Sequence, residues 1–145
     1  MRLRLAPKKD IEPLVAILQK TFSKADANKA RSEILEILAS PQNRPTFVVA
    51  VEGSHILGLA GLVQSWLDFN IYELIWVAVN PDYQKRGIGA QVVLELVKRA
   101  KRFKGHSQVN TILLSTDSPG FFSKCGFKKV AALENHCFLM CLQLV

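Results

Sequence analysis

Two features of this 145-residue chain could do chemistry. One is a carboxylate, Glu73, inside an apolar run, Ile71-Tyr72-Glu73-Leu74-Ile75-Trp76-Val77-Ala78-Val79. The other begins eleven residues later, at Gln84-Lys85-Arg86-Gly87-Ile88-Gly89-Ala90. Its glycines lack a Cβ, so the backbone can turn tightly and bring its N–H groups close to a ligand. A helix starting there adds unpaired N–H donors and a partial positive charge. That combination suits an anion such as a pyrophosphate. A carboxylate among aliphatic neighbours is pushed towards its neutral form, which makes it a better base at neutral pH. A structural Glu, or one that binds a substrate ammonium, is the alternative.

The glycine segment lacks the Gly-Lys-Ser/Thr ending of nucleotide-triphosphate loops and the three-glycine spacing of dinucleotide folds. It fits Gln/Arg-x-x-Gly-x-Gly/Ala, and it follows Val77-Ala78-Val79-Asn80-Pro81-Asp82-Tyr83. Downstream, Phe121-Phe122-Ser123-Lys124-Cys125-Gly126-Phe127 looks like Phe-Tyr-x-x-x-Gly-Phe. In these stretches the chain resembles the GNAT superfamily of acetyl-CoA-dependent N-acetyltransferases. The resemblance implies acetyl-CoA as co-substrate and direct attack by an amine in a ternary complex. It implies that Gln84, Lys85, Arg86, Gly87, Ile88, Gly89 and Ala90 hold the pyrophosphate. It also implies that the backbone of Val77 and Val79 pairs with the pantetheine arm, and that a strand N–H polarises the thioester carbonyl. Glu73 stands where the histone-acetylating branch carries its catalytic Glu. Lys124 would reach the adenosine phosphate, although surface solvation explains Lys85, Arg86 and Lys124 equally well. Two positions depart from the pattern. Ser115 stands at the usual pantetheine-binding Asn, and Phe122 stands at the usual Tyr, where a phenyl ring cannot donate a proton. Leu114 to Ser118 also looks, over a short stretch, like the amino-acid-acetylating branch.

Composition narrows the rest. The length predicts a single domain, residues 1–145, with a core of its own. No apolar run approaches the ~20 residues that span a membrane, and Met1-Arg2-Leu3-Arg4-Leu5 is too short for a signal peptide. A cytoplasmic protein is expected. Cys125, Cys137 and Cys141 have no metal-ligand spacing, and reduced thiols are expected. His55, His106 and His136 are isolated, so no metal site is expected. Nineteen basic against twelve acidic residues give a net charge of +7. Much of the excess lies in Lys98, Arg99, Lys101, Arg102 and Lys104, at the end of one helix, where cations are favoured. No aromatic and basic interleaving suggests base stacking, so an anionic cofactor explains the charge better than nucleic acid does.

The elements that must position these residues read in order. Leu3 and Leu5 alternate with arginines in a short strand. A helix capped by Asp10 carries Leu14, Leu18 and Phe22, and a polar link from Ser23 to Asn28 leads to a second helix with Ile34, Leu35, Ile37 and Leu38. Ser40 to Pro45 ends it. Thr46–Val51 and His55–Val63 form a hairpin, with Gly58 and Gly61 marking a bulge or close approach. Trp66 and Phe69 follow in a loop or strand end and are expected to pack, the alternative being an exposed Trp that lines a substrate pocket. In the central strand, Ile71, Glu73, Ile75, Val77 and Val79 share one face if the strand is regular. A helix from about Ile88 to Phe103 ends at a left-handed Gly105. Asn110–Leu114 is a strand, Gly120–Lys124 a short helix, and Phe127–Ala131 and Cys137–Leu144 are closing strands.

The expected fold is therefore α/β, of the GNAT type. It has a mixed, mostly antiparallel sheet of six to seven strands, about four helices, and a splay between the fourth and fifth strands. The expected function is acetyl transfer to a primary amine of a small molecule or amino acid. The alternatives are a protein N-terminal or lysine acetyltransferase, and a non-catalytic acyl-CoA-binding module, which Phe122 keeps open. A homodimer is common in the family.

Overall fold

The computed structural model describes residues 1–6, 11–39, 45–105 and 108–144. Asp10, the 40–44 segment and His106 lie outside the described residues, as do the side chains of Ile37 and Leu38.

The elements are β1 (Arg2–Leu5), α1 (Ile11–Thr21), α2 (Lys24–Ala39), β2 (Thr46–Glu52), β3 (His55–Gln64), β4 (Ile71–Val79), α3 (Ile88–Ala100), β5 (Thr111–Thr116), α4 (Pro119–Lys124), β6 (Lys128–Ala132) and β7 (Phe138–Gln143). The strands form one seven-stranded sheet in the order β1-β2-β3-β4-β5-β7-β6. Every pairing is antiparallel except β4 with β5. A parallel pair needs a long crossover, and α3 is that crossover.

Each face of the sheet has its own core. On one, α3 buries Ile88, Val92, Val93, Leu96, Val97 and Ala100 against Val48, Leu62, Tyr72, Leu74 and Ile112. That is the four-residue repeat visible in the sequence. On the other, Leu14, Ile17 and Leu18 of α1 and Ala27, Ala30 and Ile34 of α2 pack on Phe47, Val49, Leu59 and Ala78. The buried face of α2 is largely alanine, which is why its apolar periodicity is faint. Its start also differs from expectation: the polar link is only two residues long. Ser23 Oγ accepts the N–H of Asp26 at 3.1 Å, capping the helix immediately.

Two other boundaries move. Helix α3 stops at Ala100, short of the expected Phe103, because the chain tightens into three-residue turns: Arg102 N–H donates to Arg99 O at 3.0 Å and Phe103 N–H to Ala100 O at 3.1 Å. Gly105 is left-handed, φ +64°, but it lies beyond that end and does not cap it. The loop after β3 differs more. Trp66 and Phe69 are 83% and 69% exposed, contrary to the expectation that they pack, and Leu67 between them is 75% exposed. Polar anchors hold the loop in this shape: Gln64 Nε2 donates to Phe69 O at 2.8 Å, and Asp68 Oδ1 accepts the N–H of Asn70 at 2.8 Å. Among the described residues, no helix is long and apolar enough to cross a membrane.

Candidate active site

The ladder between β4 and β5 has three rungs, Ile71↔Thr111, Tyr72↔Ile112 and Glu73↔Leu113. Beyond Glu73 the strands part, although β4 runs on to Val79 and β5 to Thr116. A cleft of about 1290 Å³ opens between them. Its walls carry backbone that belongs to no ladder on that side, a natural partner for an extended amide-bearing chain.

The parting coincides with a bulge in β4. Leu59 faces Ala78 and Gly61 faces Ile75, so Trp76 and Val77 together oppose Ala60. Trp76 takes φ +50°, a rare conformation for a bulky side chain and a mark of local strain. The bulge reverses the alternation of side chains. Before it, Tyr72 and Leu74 face α3; after it, Val77 and Val79 do, while Ile75, Trp76 and Ala78 face α1 and α2. The expectation of a single face shared by Ile71, Glu73, Ile75, Val77 and Val79 is thus corrected: the strand is irregular, and the latter two lie on the opposite side from Ile75. Glu73 lines the cleft and is only half-buried.

The far end of β4 leads into the glycine segment. Asn80 Oδ1 accepts the N–H of Asp82 at 3.1 Å and starts a single 3-10 turn at Pro81–Tyr83. Gln84 Nε2 donates to Val79 O at 3.3 Å, tying the segment to the strand. Lys85 and Gly87 both have positive φ, +64° and +74°, with Gly87 as the residue before α3. Alternating left-handed residues at a helix start turn successive N–H groups inwards, the geometry of an anion-binding nest. Gly89 is required for a different reason. A Cβ there would sit 3.2 Å from Phe121 Cζ and 3.3 Å from Val79 Cγ2, so the helix approaches the cleft wall too closely for a side chain.

Most of the residues singled out in the sequence meet in this one cleft. Glu73, Val77, Val79, Gln84 and Lys85 line it, with Gly87, Ile88, Gly89 and Ala90 along the start of α3 and Ser115 and Phe122 on the opposite wall. Two expected residues are placed elsewhere. Arg86 stands 3.8 Å from Glu52 and 5.6 Å over the Tyr83 ring, outside the lining. Lys124, at the end of α4, is exposed and also outside it. Phe122 is 8% exposed, edge-to-face with Phe121 at 4.8 Å and with Phe127 at 6.0 Å, so its place is filled by an aromatic stack. Cys125 is buried behind it, and burial pushes its thiol above the ordinary range. That suits packing rather than proton transfer.

Some lining residues were missed in the sequence. Phe22 and Trp76 meet edge-to-face at 5.8 Å. The Trp76 indole Nε1–H donates to Glu33 Oε2 at 3.0 Å, holding a second carboxylate at the cleft. Nothing local to Glu33, on a helix rich in charged residues, distinguishes it from a solvated Glu. No group of three or more His, Cys, Asp and Glu side chains among the described residues could hold a metal ion.

The comparisons with known proteins agree with this geometry. A family model described as Acetyltransferase (GNAT) family matches residues 11–127. A Bacillus subtilis protein named as the uncharacterized N-acetyltransferase YvbK is 31% identical over 68 residues, which is 46% of this chain and 43% of that protein, so the match spans less than half of either. Among solved structures, a protein assigned to the GNAT family from Desulfovibrio desulfuricans superposes with a TM-score of 0.84 at 20% identity over 99% of both chains. An aminoglycoside 6'-N-acetyltransferase complexed with coenzyme A gives 0.82 at 18% identity, over 100% of this chain and 98% of that one. At those identities the structural likeness speaks for the fold.

Proposed function

We infer, since this chain belongs to the acetyltransferase (GNAT) family, that it transfers the acetyl group of acetyl-CoA to a primary amine of a small molecule by direct attack in a ternary complex. The observation that carries this reading is the wedge between β4 and β5, with a glycine turn at one end and a carboxylate at the last shared rung. Solved relatives of the same fold are named for aminoglycoside acetylation, which supports a small-molecule acceptor.

The residues fit a coenzyme A thioester. The nest at Lys85 and Gly87 and the start of α3 suit its pyrophosphate. Free backbone on Leu74–Val79 suits the two amides of the pantetheine arm. Acetyl-CoA supplies the activated acetyl carbon. Glu73, directly or through one water, accepts the proton that the amine must lose before its lone pair can attack. The carbon–nitrogen bond forms, the carbon–sulfur bond breaks, and a β4 N–H at the bulge stabilises the oxyanion between the two events. With Phe122 and not a hydroxyl on the far wall, the sulfur departs as thiolate and takes its proton from solvent.

Thiol release from acetyl-CoA in the presence of an amine panel tests the reading. Turnover with at least one amine supports it. Tight coenzyme A binding without turnover by any amine would leave a non-catalytic acyl-CoA-binding module, the reading that Phe122 keeps open.

A further inference from the structure

The charges around the cleft are unevenly distributed. Among its described lining residues the cations reduce to Lys85, at the glycine turn, whereas Glu33, Glu73 and Asp117 are acidic. The protein as a whole carries +7, so acidic lining is not a by-product of an acidic surface. Glu33 is the informative one. It sits on α2, beyond the bulge from the glycine turn, and is 40% exposed. The indole of Trp76 fixes one carboxylate oxygen at 3.0 Å. Its other oxygen has Lys29 at 3.7 Å, an exposed i,i+4 pair of the kind that contributes little and yields to a competing cation. The ring of Trp76 stands beside it, itself edge-to-face with Phe22, and both rings line the cleft as apolar surface that favours an organic cation over a hydrated one.

We propose that Glu33, positioned by Trp76, is the residue that sets acceptor specificity, taking a second cationic group of the acceptor while the reacting amine meets Glu73. The acceptor is then an amine with two or more amino groups. This rests on the acetyltransferase reading of the cleft and narrows it. An amino acid fits less well, because among the described lining residues the α1/α2 side carries no cation and Lys29, beside it, is held by Glu33. A monoamine leaves Glu33 to Lys29.

Three probes of similar length separate the cases: 1,4-diaminobutane, butylamine and 4-aminobutanoate, each assayed by thiol release with wild type and Glu33→Gln. Gln keeps an acceptor for the Trp76 indole and removes the charge. The expected result is a kcat/KM for diaminobutane at least about tenfold above butylamine, the worth of one charged hydrogen bond, with 4-aminobutanoate lowest. In Glu33→Gln the diamine-to-monoamine ratio falls towards one, chiefly through KM. Trp76→Phe, which frees the carboxylate without removing it, lowers the ratio less. An equal preference in wild type, a ratio unmoved by Glu33→Gln, or preference for 4-aminobutanoate overturns the proposal. Calorimetry of the same probes with coenzyme A-saturated protein reads it without turnover. Tighter diaminobutane binding by wild type than by Glu33→Gln, with thiol release from no amine of the panel, supports a site for a cationic group at Glu33 and overturns the acetyltransferase reading. No binding difference and thiol release from no amine of the panel overturns both.

Discussion

Glu73 faces Leu113 on the last rung that β4 and β5 share, so its carboxylate stands where the sheet stops being a sheet. A group on a ladder rung is held by backbone pairing on both sides, and its position is fixed by the fold rather than by a flexible loop. That is the fixed position which the proposed role of proton acceptor requires.

Glu73→Gln keeps the size and hydrogen-bonding shape and removes the base. The expected loss in kcat is about 10²- to 10⁴-fold, the usual worth of a general base, with the coenzyme A dissociation constant changed little. Steady-state thiol release and calorimetry on the same preparation check this. Full activity in the variant would show that Glu73 does not take the proton.

Gly89→Ala places a methyl 3.2 Å from Phe121 Cζ and 3.3 Å from Val79 Cγ2. The ring of Phe121 must yield into the cleft. A stability loss of about 1 kcal/mol is expected from overpacking, accompanied by weaker coenzyme A binding. Thermal unfolding and titration measure the two effects, and unaltered affinity would place the cofactor away from this wall.

Gly87→Ala and Gly53→Ala form a matched pair. Both glycines are left-handed, at φ +74° and +60°, and neither has any atom within 4 Å of the added Cβ. Each substitution should cost a similar ~1 kcal/mol for backbone conformation alone. Only Gly87→Ala should also weaken coenzyme A binding, because Gly53 lies in the β2–β3 turn, outside the cleft lining. Equal effects on affinity would argue against the nest.

Lys85→Ala should weaken coenzyme A binding more than Arg86→Ala, although the two residues are neighbours. Lys85 lines the cleft; Arg86 is occupied by Glu52 and the Tyr83 ring. The difference should narrow as salt rises, since exposed charges are screened. Calorimetry at two ionic strengths tests it, and the reverse order would mean that Arg86 leaves Glu52 when ligand binds.

The glycine-turn end of the cleft was legible in the sequence because its requirements are local. A turn with positive φ needs Gly87, a helix start needs no side chain at Gly89, and both fall within one short segment. The β4–β5 splay was legible only through family resemblance. The direction of side chains along β4 was not, because alternation assumes regular geometry and Trp76 breaks it with a conformation its residue type disfavours. The exposure of Trp66 and Phe69 runs against their apolarity, since it is decided by polar anchors at Gln64 and Asp68. Glu33 was invisible for a third reason. Its role depends on Trp76, forty-three positions away, and on a helix whose buried face is alanine.

The three-rung junction between β4 and β5 bears on how the molecule holds together mechanically. The strands β1 to β4 and the strands β5 to β7 are two antiparallel panels, each fully stitched within itself. Among the described residues, backbone pairing joins them over three rungs and at Asn70, whose carbonyl accepts the N–H of Asn110 at 2.9 Å, and the packing around α3 bridges the remainder. The panels therefore meet as two leaves on a short hinge. An extended ligand laid along the free edge of β4 would act as a splint, stiffening the joint between the leaves as well as delivering its reactive group there.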